Sequence, residues 1–400
     1  MYKIWKDQTN CKILLFMCTY MVSYITRINY GAIISEIVVA EQMLKSELAL
    51  AVTGSFFSYG IGQLVSGIIG DKIQPRLLVF TGLVCSSCMN VMITICDSPY
   101  HMSVVWCING FAQSFMWPPI IKLMSSVFSS KDYKRATEIV SWGGSLGTIA
   151  IYLAAPIFIS IWGWRSVFWG SATCAVFMAV VWFLKSEKIT LERTYIEKKL
   201  NFQNKSVVTL FIGIGAAIII QGALRDGVTT WMPSYCIEMF SMDNSTAIMT
   251  GVLLPIFSII GFRVTSILYK RKFNNEMQCG SFMFGIGSIA AFGLWIVAED
   301  SKLLSVILMV LLVGCMHGVN LILVCMTPAY FGRYGIASFV SGVLNSCSYV
   351  GSAVSTFLIV IFAENYGWKN TIVIWLLMTL IGTSICLWCT NKWKMFASEG

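Results

Sequence analysis

The chain has 400 residues, of which 57% are hydrophobic. Only 12% are charged, against about 25% in a typical soluble domain. This composition excludes a water-soluble globular protein and predicts an all-α membrane protein with several spans. The formal net charge of +9 calls for no nucleic-acid partner, because the basic residues concentrate on the predicted cytoplasmic face, beside anionic lipid headgroups.

Twelve apolar runs, each bounded by charges or turn residues, predict twelve transmembrane helices. Each run is close to or above the ~20 residues that a helix needs to cross the ~30 Å hydrocarbon core. In chain order they are 13–34, 47–69, 77–96, 102–127, 137–161, 166–184, 207–235, 245–269, 277–298, 303–327, 336–362 and 370–390.

The longest polar interval holds six basic residues and has six predicted spans on either side. We therefore expect an N-terminal six-helix bundle over 1–184, a cytoplasmic linker over 185–206 and a C-terminal six-helix bundle over 207–400. Internal repetition supports two pseudo-symmetric halves, because the sequence Gly163-Trp164-Arg165 after the fifth span returns as Gly367-Trp368-Lys369 after the eleventh.

The distribution of basic residues predicts the orientation. Of the 28 Lys and Arg residues, 20 fall in the N-terminal segment, the C-terminal segment and the connections on that same side, whereas four fall on the opposite side. Cytoplasmic connections carry the excess of basic residues. Both termini are therefore expected in the cytoplasm, with the protein in the cell (inner or plasma) membrane.

An arginine, Arg27, lies inside the first apolar run. A charge at this depth costs from ~2.5 kcal/mol upward, so intramembrane arginines usually face a cavity or a partner. Tyr20, Tyr24 and Gly31 share its helical face. The spacing predicts a lined cavity; the alternative is that Arg27 snorkels to the interface or pairs with a carboxylate of a neighbouring helix.

A second arginine, Arg225, lies 198 positions later in the seventh span, where it forms a polar stripe with Gln221 and Thr229. Asp226 is expected to neutralise it poorly, since adjacent helical residues point ~100° apart. Two guanidiniums that face one cavity repel unless an anion bridges them, and their planar forks suit phosphate or carboxylate. The alternative is two separate ion pairs.

Further polar side chains at helical spacing lie in other spans. Each either contacts a substrate or only holds helices together, as polar residues in spans often do. His317 is the one histidine inside a span and could titrate, although a packing role is favoured. The candidates for the cavity are Gln63, Gln113, Trp117, His317 and Asn345.

The loop after the second span, Gly67-Ile68-Ile69-Gly70-Asp71-Lys72-Ile73-Gln74-Pro75-Arg76, resembles the G-x-x-x-D-R-x-G-R-R loop of the major facilitator superfamily. In that family the aspartate caps a neighbouring helix and the basic residues hold the cytoplasmic gate shut. The resemblance implies a gating role for Asp71, Lys72 and Arg76, and for Arg135 in the next basic loop.

Three stretches resemble the organophosphate:phosphate antiporter family within that superfamily. Tyr24 to Tyr30 is similar to the family's Y-L-x-R-K-N-F, Gln113 to Met124 to Q-x-x-x-W-P-P-x-x-R-x-M, and Arg225 to Trp231 to R-x-G-x-x-x-W. The family includes glycerol-phosphate and hexose-phosphate transporters and a membrane sensor. Its paired arginines bind the substrate phosphate, a role that the resemblance carries over to Arg27 and Arg225.

The chain departs from the family pattern at four positions, all of them less basic or less polar than in the relatives. Ile28 replaces a Lys, Gln63 a second-span Lys, Gly144 a fifth-span His, and Thr229 a frequent Asp. A singly charged organic anion or a larger phosphoester therefore becomes plausible beside a sugar phosphate.

The predicted function is secondary active transport of an organic anion, an organophosphate in exchange for phosphate, by alternating access. The predicted protein is a monomer in the lipid bilayer, without a cofactor or enzymatic activity. One alternative is a sensor of a phosphorylated sugar that keeps the transporter fold. The other is a proton-coupled exporter of another organic anion, against which the few carboxylates in the spans argue.

Overall fold

A computed structural model describes residues 2–187, 205–242 and 253–398. The predicted linker, 185–206, lies mostly outside the described residues. The part that is described contains no strand, and the all-α prediction is confirmed. Its helices are α1 (Tyr2–Glu41), α2 (Lys45–Gly70), α3 (Pro75–Ile93), α4 (Pro99–Gln113), α5 (Trp117–Val127), α6 (Ser130–Trp162), α7 (Arg165–Ser186), α8 (Lys205–Phe240), α9 (Leu253–Leu268), α10 (Glu276–Val297), α11 (Lys302–Val319) and α12 (Ala337–Ser398).

Ten stretches of the described chain are long and apolar enough to cross a membrane by length and composition. The remaining two predicted spans have identifiable counterparts. The fourth is divided between α4 and α5, and the eleventh forms the first part of α12, before the non-helical Gly367 (φ 80°, ψ 165°). A π-helix, Asn320–Met326, and a 3₁₀ helix, Thr327–Tyr334, lead from α11 to α12.

The break between α4 and α5 follows from two prolines, Pro118 and Pro119. Proline has no backbone N–H, so neither residue can continue the i to i−4 hydrogen bonding of α4. The backbone instead turns through residues 114–116, where each N–H bonds the carbonyl three residues earlier. A new helix begins at Trp117, with proline in its first turn, where the missing donor costs nothing.

The chain divides into two compact units. The first comprises Met1–Ile196 and Phe331–Ser346, and the second comprises Glu197–Tyr330 and Cys347–Gly400. The first residues of α12 thus pack with the first unit. The division into bundles at 184 and 207 stays a prediction.

Glycines allow helix backbones to touch inside the first unit. Helix α1 packs along α6, where a Cβ on Gly143 would lie only 2.5 Å from the carbonyl oxygen of Met17. A Cβ on Gly147 would collide with the carbonyl oxygen of Met21. Small residues at such crossings let membrane helices approach closely, and here they fix α1, which carries Arg27.

The second unit uses the same device between α8 and α12. A Cβ on Gly222 would collide with the carbonyl oxygen of Ser348, and one on Gly351 with that of Ile219. The helix that carries Arg225 is therefore held directly against the backbone of α12.

The repeated Gly-Trp-Arg/Lys sequence has the same structure in each unit. Gly163 (φ 76°) ends α6 in a conformation that favours glycine. The indole of Trp164 donates a 3.0 Å hydrogen bond to Glu41 at the end of α1, and Arg165 forms a 2.8 Å ion pair with the same carboxylate.

In the second unit Gly367 (φ 80°) precedes Trp368. The Trp368 indole donates a 2.7 Å hydrogen bond to Glu238 near the end of α8, and Lys369 pairs with Glu299 at 3.4 Å. The internal repetition therefore extends from the sequence to side-chain bonding.

A fully buried carboxylate, Glu276, lies at the start of α10. It accepts hydrogen bonds from the hydroxyls of Tyr269 (2.6 Å) and Tyr330 (2.7 Å) and from the indole of Trp393 (2.7 Å). Three donors from three segments of the chain thus stabilise one acidic group, as a buried charge requires.

All fourteen cysteines are free thiols. The two pairs spaced three residues apart, Cys85 with Cys88 and Cys386 with Cys389, are free as well. Several, such as Cys236 and Cys315, are buried and act as small apolar core residues.

Candidate functional site

Arg27 lies within α1 between two aromatic rings. Its guanidinium carbon is 4.2 Å from the ring centroid of Tyr24 and 4.7 Å from that of Tyr59 on α2. Both distances are in the range of cation–π attraction. A guanidinium uses its faces for such contacts and donates hydrogen bonds in its own plane, so the arrangement orients the fork of Arg27.

Tyr20 links this pair to the start of α5. Its ring lies 5.0 Å from that of Tyr24 and 4.7 Å from that of Trp117. Its hydroxyl also donates a 3.4 Å hydrogen bond to the hydroxyl of Tyr24. The break before Trp117 thus places an indole beside the aromatic group around Arg27.

The ring of Tyr24 also lies against Gly144 of α6. A Cβ at Gly144 would be 2.9 to 3.2 Å from three atoms of that ring. Such contacts are too short for carbon atoms that attract best at ~3.5–4.0 Å. The ring of Tyr24 therefore occupies space that a histidine at position 144, as in the family pattern, would need.

Four amide side chains hold the helix turn next to Arg27. Gln113 donates to the hydroxyl of Thr26 (2.7 Å). The carbonyl oxygen of Thr26 accepts from both Asn109 (3.0 Å) and Asn90 (3.1 Å). Asn29 donates to Asn90 at 2.6 Å. Gln113, which was predicted to bind substrate, is buried, and a substrate role for it stays a prediction.

Gln63 and Asn345, both predicted to bind substrate, bond to each other within the first unit. The amide of Asn345 donates a 2.9 Å hydrogen bond to the side-chain oxygen of Gln63. The amide of Gln63 donates a long 3.5 Å bond to the carbonyl oxygen of Ser114. Both side chains are buried, and a substrate role for them stays a prediction.

Arg225 and Asp226 form a bidentate ion pair in the second unit. Nε and Nη2 of Arg225 each donate a 2.7 Å hydrogen bond to one oxygen of Asp226. The expectation that Asp226 neutralises Arg225 poorly is therefore wrong. The ~100° between adjacent residues describes where their Cβ atoms point, whereas the long arginine side chain curves back to its neighbour.

Neighbouring helices complete this group. Ser352 of α12 donates a 2.5 Å hydrogen bond to Asp226, and His317 of α11 interacts electrostatically with both Arg225 and Asp226. The imidazole also packs edge-on against Phe262, with centroids 5.3 Å apart. Thr229 bonds its own helix at the carbonyl oxygen of Arg225.

Asp71 caps the first turn of α12. Its carboxylate accepts hydrogen bonds from the backbone N–H groups of Ser338 (3.2 Å) and Phe339 (2.8 Å) and lies 3.5 Å from Nζ of Lys122. Lys122 also donates to the carbonyl oxygen of Gly70 at 2.9 Å. Burial raises the pKa of Asp71, although these donors and Lys122 lower it.

The other predicted gating residues lie near the same end of the first unit. Lys72 is exposed, and Arg76 and Arg135 are half-buried. The carbonyl oxygen of Arg76 accepts a 2.9 Å bond from the indole of Trp182 on α7. Their gating role stays a prediction.

One contributor was missed by sequence reasoning and one was misjudged. Tyr59 is predictable from the sequence, because it shares a polar helical stripe with the candidate Gln63. The role of Ser352 had no local signal, because it depends on how α12 packs against α8. Asp226 was assigned to another face from backbone geometry alone. Among the described residues, no cluster of three or more His, Cys, Asp or Glu could hold a metal ion.

The family model described as Major Facilitator Superfamily matches residues 16–354. The chain belongs to the Major Facilitator Superfamily. It is therefore a transporter-type membrane protein and not an enzyme. Its resemblance to the organophosphate:phosphate antiporter family is confirmed by its relatives, at low identity.

One relative is the "Membrane sensor protein UhpC" of Escherichia coli (strain K12). It is 19% identical over 396 residues, covering 93% of this chain and 89% of the relative. Another is a "Probable hexose phosphate transport protein" of Chlamydia muridarum (strain MoPn / Nigg). It is 20% identical over 412 residues, covering 95% of this chain and 90% of the relative.

Solved structures agree on the fold. The transporter FucP, crystallised in the outward conformation, matches with a TM-score of 0.74 at 11% identity, covering 94% of this chain and 98% of FucP. The predicted fold of twelve helices in two six-helix bundles is confirmed as the major facilitator fold.

Proposed function

We propose that this member of the superfamily moves an organic anion, an organophosphate in exchange for phosphate, by alternating access. Arg27 in the first unit and Arg225 in the second are the proposed anion ligands. The observation that carries the proposal is the cation–π arrangement of Arg27 with Tyr24 and Tyr59, which positions a guanidinium inside a predicted span.

A guanidinium favours anions with two oxygens in reach, because phosphate and carboxylate accept two parallel hydrogen bonds from it. The ring faces also stabilise the charge when no anion is bound, since a desolvated cation–π contact contributes about 2 kcal/mol. Binding of an anion then lowers the cost of a buried charge. The loaded carrier would change conformation more readily than the empty one, which favours exchange.

The test is exchange in proteoliposomes loaded with radiolabelled phosphate, with phosphate, glycerol 3-phosphate, hexose 6-phosphate or lactate outside. We expect label to leave in exchange for at least one phosphorylated anion. Arg27→Lys and Arg225→Lys should each lower the exchange rate about 10- to 100-fold, because each loses charge-assisted bonds worth ~1.5–3 kcal/mol.

The matched control is Arg165→Lys, which makes the same change at the ion pair with Glu41 at the end of α1. It should exchange at the wild-type rate. Near-normal exchange by either Arg27→Lys or Arg225→Lys would remove that residue from the site.

A second candidate function is sensing, which the similarity to the membrane sensor UhpC supports. A sensor would bind the anion and transmit its presence to a partner protein without sustained flux. Binding of hexose 6-phosphate together with no measurable exchange, in the same proteoliposomes, would favour the sensor over the transporter.

We further propose that the protein is a monomer in the plasma membrane with both termini in the cytoplasm. The excess of basic residues on one side of the predicted spans supports this orientation.

A further inference from the structure

We infer that Asp226 couples anion binding to proton uptake: an anion that binds Arg225 is accompanied by one proton, which Asp226 takes up. This inference rests on the proposed function, since it names Arg225 as an anion ligand. It goes further, because it assigns the proton to a particular carboxylate and predicts a stoichiometry of one.

The first step of the argument is competition for one guanidinium. The Nε–Nη2 edge of Arg225 is occupied by both oxygens of Asp226 at 2.7 Å. An incoming anion either displaces Asp226 from this edge or binds the guanidinium beside it. In both cases two negative charges share one positive charge. The site is largely buried, since only 12% of the Arg225 side chain is exposed.

The second step is charge balance. Before binding, Arg225 and Asp226 sum to zero. A monovalent anion brings the group to minus one, which is costly in a site of low dielectric. One proton from the aqueous phase, added to a carboxylate oxygen of Asp226, restores neutrality. The protein leaves 34% of the Asp226 side chain uncovered, and the proton is proposed to reach the carboxylate from this side.

The third step is that the site can hold either form of Asp226. The hydroxyl of Ser352 lies 2.5 Å from Oδ2 of Asp226 and 2.9 Å from the carbonyl oxygen of Ser348. When Asp226 is ionised, this hydroxyl donates to the carboxylate. When Asp226 is protonated, the hydroxyl can rotate to donate to Ser348 and accept from the acid.

Among the described residues, His317 is another titratable group that acts on this pair. It lies on α11 and interacts electrostatically with Arg225 and Asp226. A pH dependence of binding could therefore arise from the imidazole, and the experiment must separate the two groups.

The experiment measures the affinity of purified protein for hexose 6-sulfate, whose single charge stays constant over the pH range used. In parallel it uses phosphate, glycerol 3-phosphate and gluconate. If one proton accompanies each anion, the wild-type dissociation constant falls about tenfold per pH unit of acidification. In Asp226→Asn, which resembles the protonated acid, affinity should be high at neutral pH and independent of pH.

Two matched variants complete the series. Glu238→Gln removes another carboxylate of α8, and His317→Gln removes the imidazole; both should keep the tenfold slope. Ser352→Ala provides a second route if Asp226→Asn does not fold. It should raise affinity at neutral pH, since the ionised carboxylate loses a donor, and it should keep the slope.

A wild-type affinity that does not change with pH overturns the inference, as does a slope that is lost in His317→Gln and kept in Asp226→Asn. In both cases anions still bind and the proposed function stands. If none of the four anions binds, the proposed function fails and this inference fails with it.

Discussion

Tyr24 connects the packing of α1 against α6 to the position of the proposed anion ligand Arg27. Its ring contacts the guanidinium of Arg27 at 4.2 Å, the ring of Tyr20 at 5.0 Å and the backbone of α6 at Gly144. The absence of a side chain at position 144 therefore leaves room for the ring that contacts Arg27. The proposed anion ligand is therefore positioned by steric fit as well as by charge.

We predict that Gly144→His lowers stability by about 1–3 kcal/mol, the usual cost of overpacking. The new side chain must displace the ring of Tyr24, so exchange activity should fall together with the unfolding midpoint. Both are measured on the same purified preparation, by thermal unfolding in detergent and by phosphate exchange in proteoliposomes.

The control for this prediction is Gly31→Ala on α1, where an added Cβ would meet nothing within 4 Å. It should keep full activity and gain about 0.4–1 kcal/mol from reduced backbone entropy of the unfolded chain. An active Gly144→His of wild-type stability would show that Tyr24 can move without consequence for Arg27.

At the scale of the helices, the capping of α12 by Asp71 connects two elements far apart in the chain. Backbone N–H groups at a helix start lack partners inside the helix, and a carboxylate from α2 supplies two bonds to them. Glycines permit the approach, because a Cβ on Gly67 would lie 3.3 Å from the Cα of Gly342.

The cap should give a distinctive pH dependence. Because the pKa of Asp71 is raised by burial, the folded protein binds this proton more tightly than the unfolded chain. The resulting stabilisation is fully present below the unfolded pKa and is lost as pH rises through the folded pKa. We therefore predict that wild type gains stability relative to Asp71→Asn as the pH falls from neutral.

Unfolding midpoints of the two proteins across a pH series check this prediction, since other titrating groups cancel in the difference. Asp71→Ala removes the acceptor altogether and should cost about 1–3 kcal/mol at neutral pH. A difference that grows in the opposite direction would mean that Asp71 is stabilised as a carboxylate.

Most elements were predictable from the sequence, because hydropathy adds up residue by residue along a span. The break at residues 114–116 was not predicted, although Pro118 and Pro119 signal it, since the length of the apolar run was given priority. Arg27 and Arg225 were found because a charge in an apolar run is conspicuous. The pairing of Arg225 with Asp226 could not be found, because it depends on the conformation of a flexible side chain and on Ser352 from another helix.

For the whole molecule, the main feature is an internal repeat in which individual hydrogen bonds are also repeated. Trp164 and Trp368 each donate to a glutamate near the end of the helix that carries a proposed anion ligand. Each bond therefore fixes the end of an arginine-bearing helix by the same means.

We predict that Trp164→Phe and Trp368→Phe destabilise the protein by similar amounts, about 1.5–3 kcal/mol each, the range for hydrogen bonds to charged groups. Trp169→Phe, at a half-exposed position of α7, should change stability by less than about 0.5 kcal/mol. Thermal unfolding of the three variants is the measurement. If one of the two tryptophan substitutions strongly lowers stability and the other does not, the two hydrogen bonds are alike in geometry but not in their contribution to stability.

The predicted orientation can be tested on intact cells with a membrane-impermeant maleimide. Tyr100→Cys, at a position 75% exposed, should be labelled from outside. Lys131→Cys, at an exposed position before the basic loop residue Arg135, should react only after the cells are opened. Wild type supplies the background from its fourteen free thiols, and the reverse pattern would invert the topology.

The hydrogen bonds around Glu276 impose an order on biogenesis. Two of its donors, Tyr269 and Tyr330, precede the last two predicted spans, whereas Trp393 follows the twelfth. A ribosome therefore makes the twelfth predicted span before it reaches Trp393, whose indole donates to this carboxylate. Until then this buried acid lacks one of the donors described above, and partly satisfied networks are costly. Nascent or truncated chains that lack Trp393 should consequently expose this end of the second unit to membrane quality control, while chains that contain it should be spared.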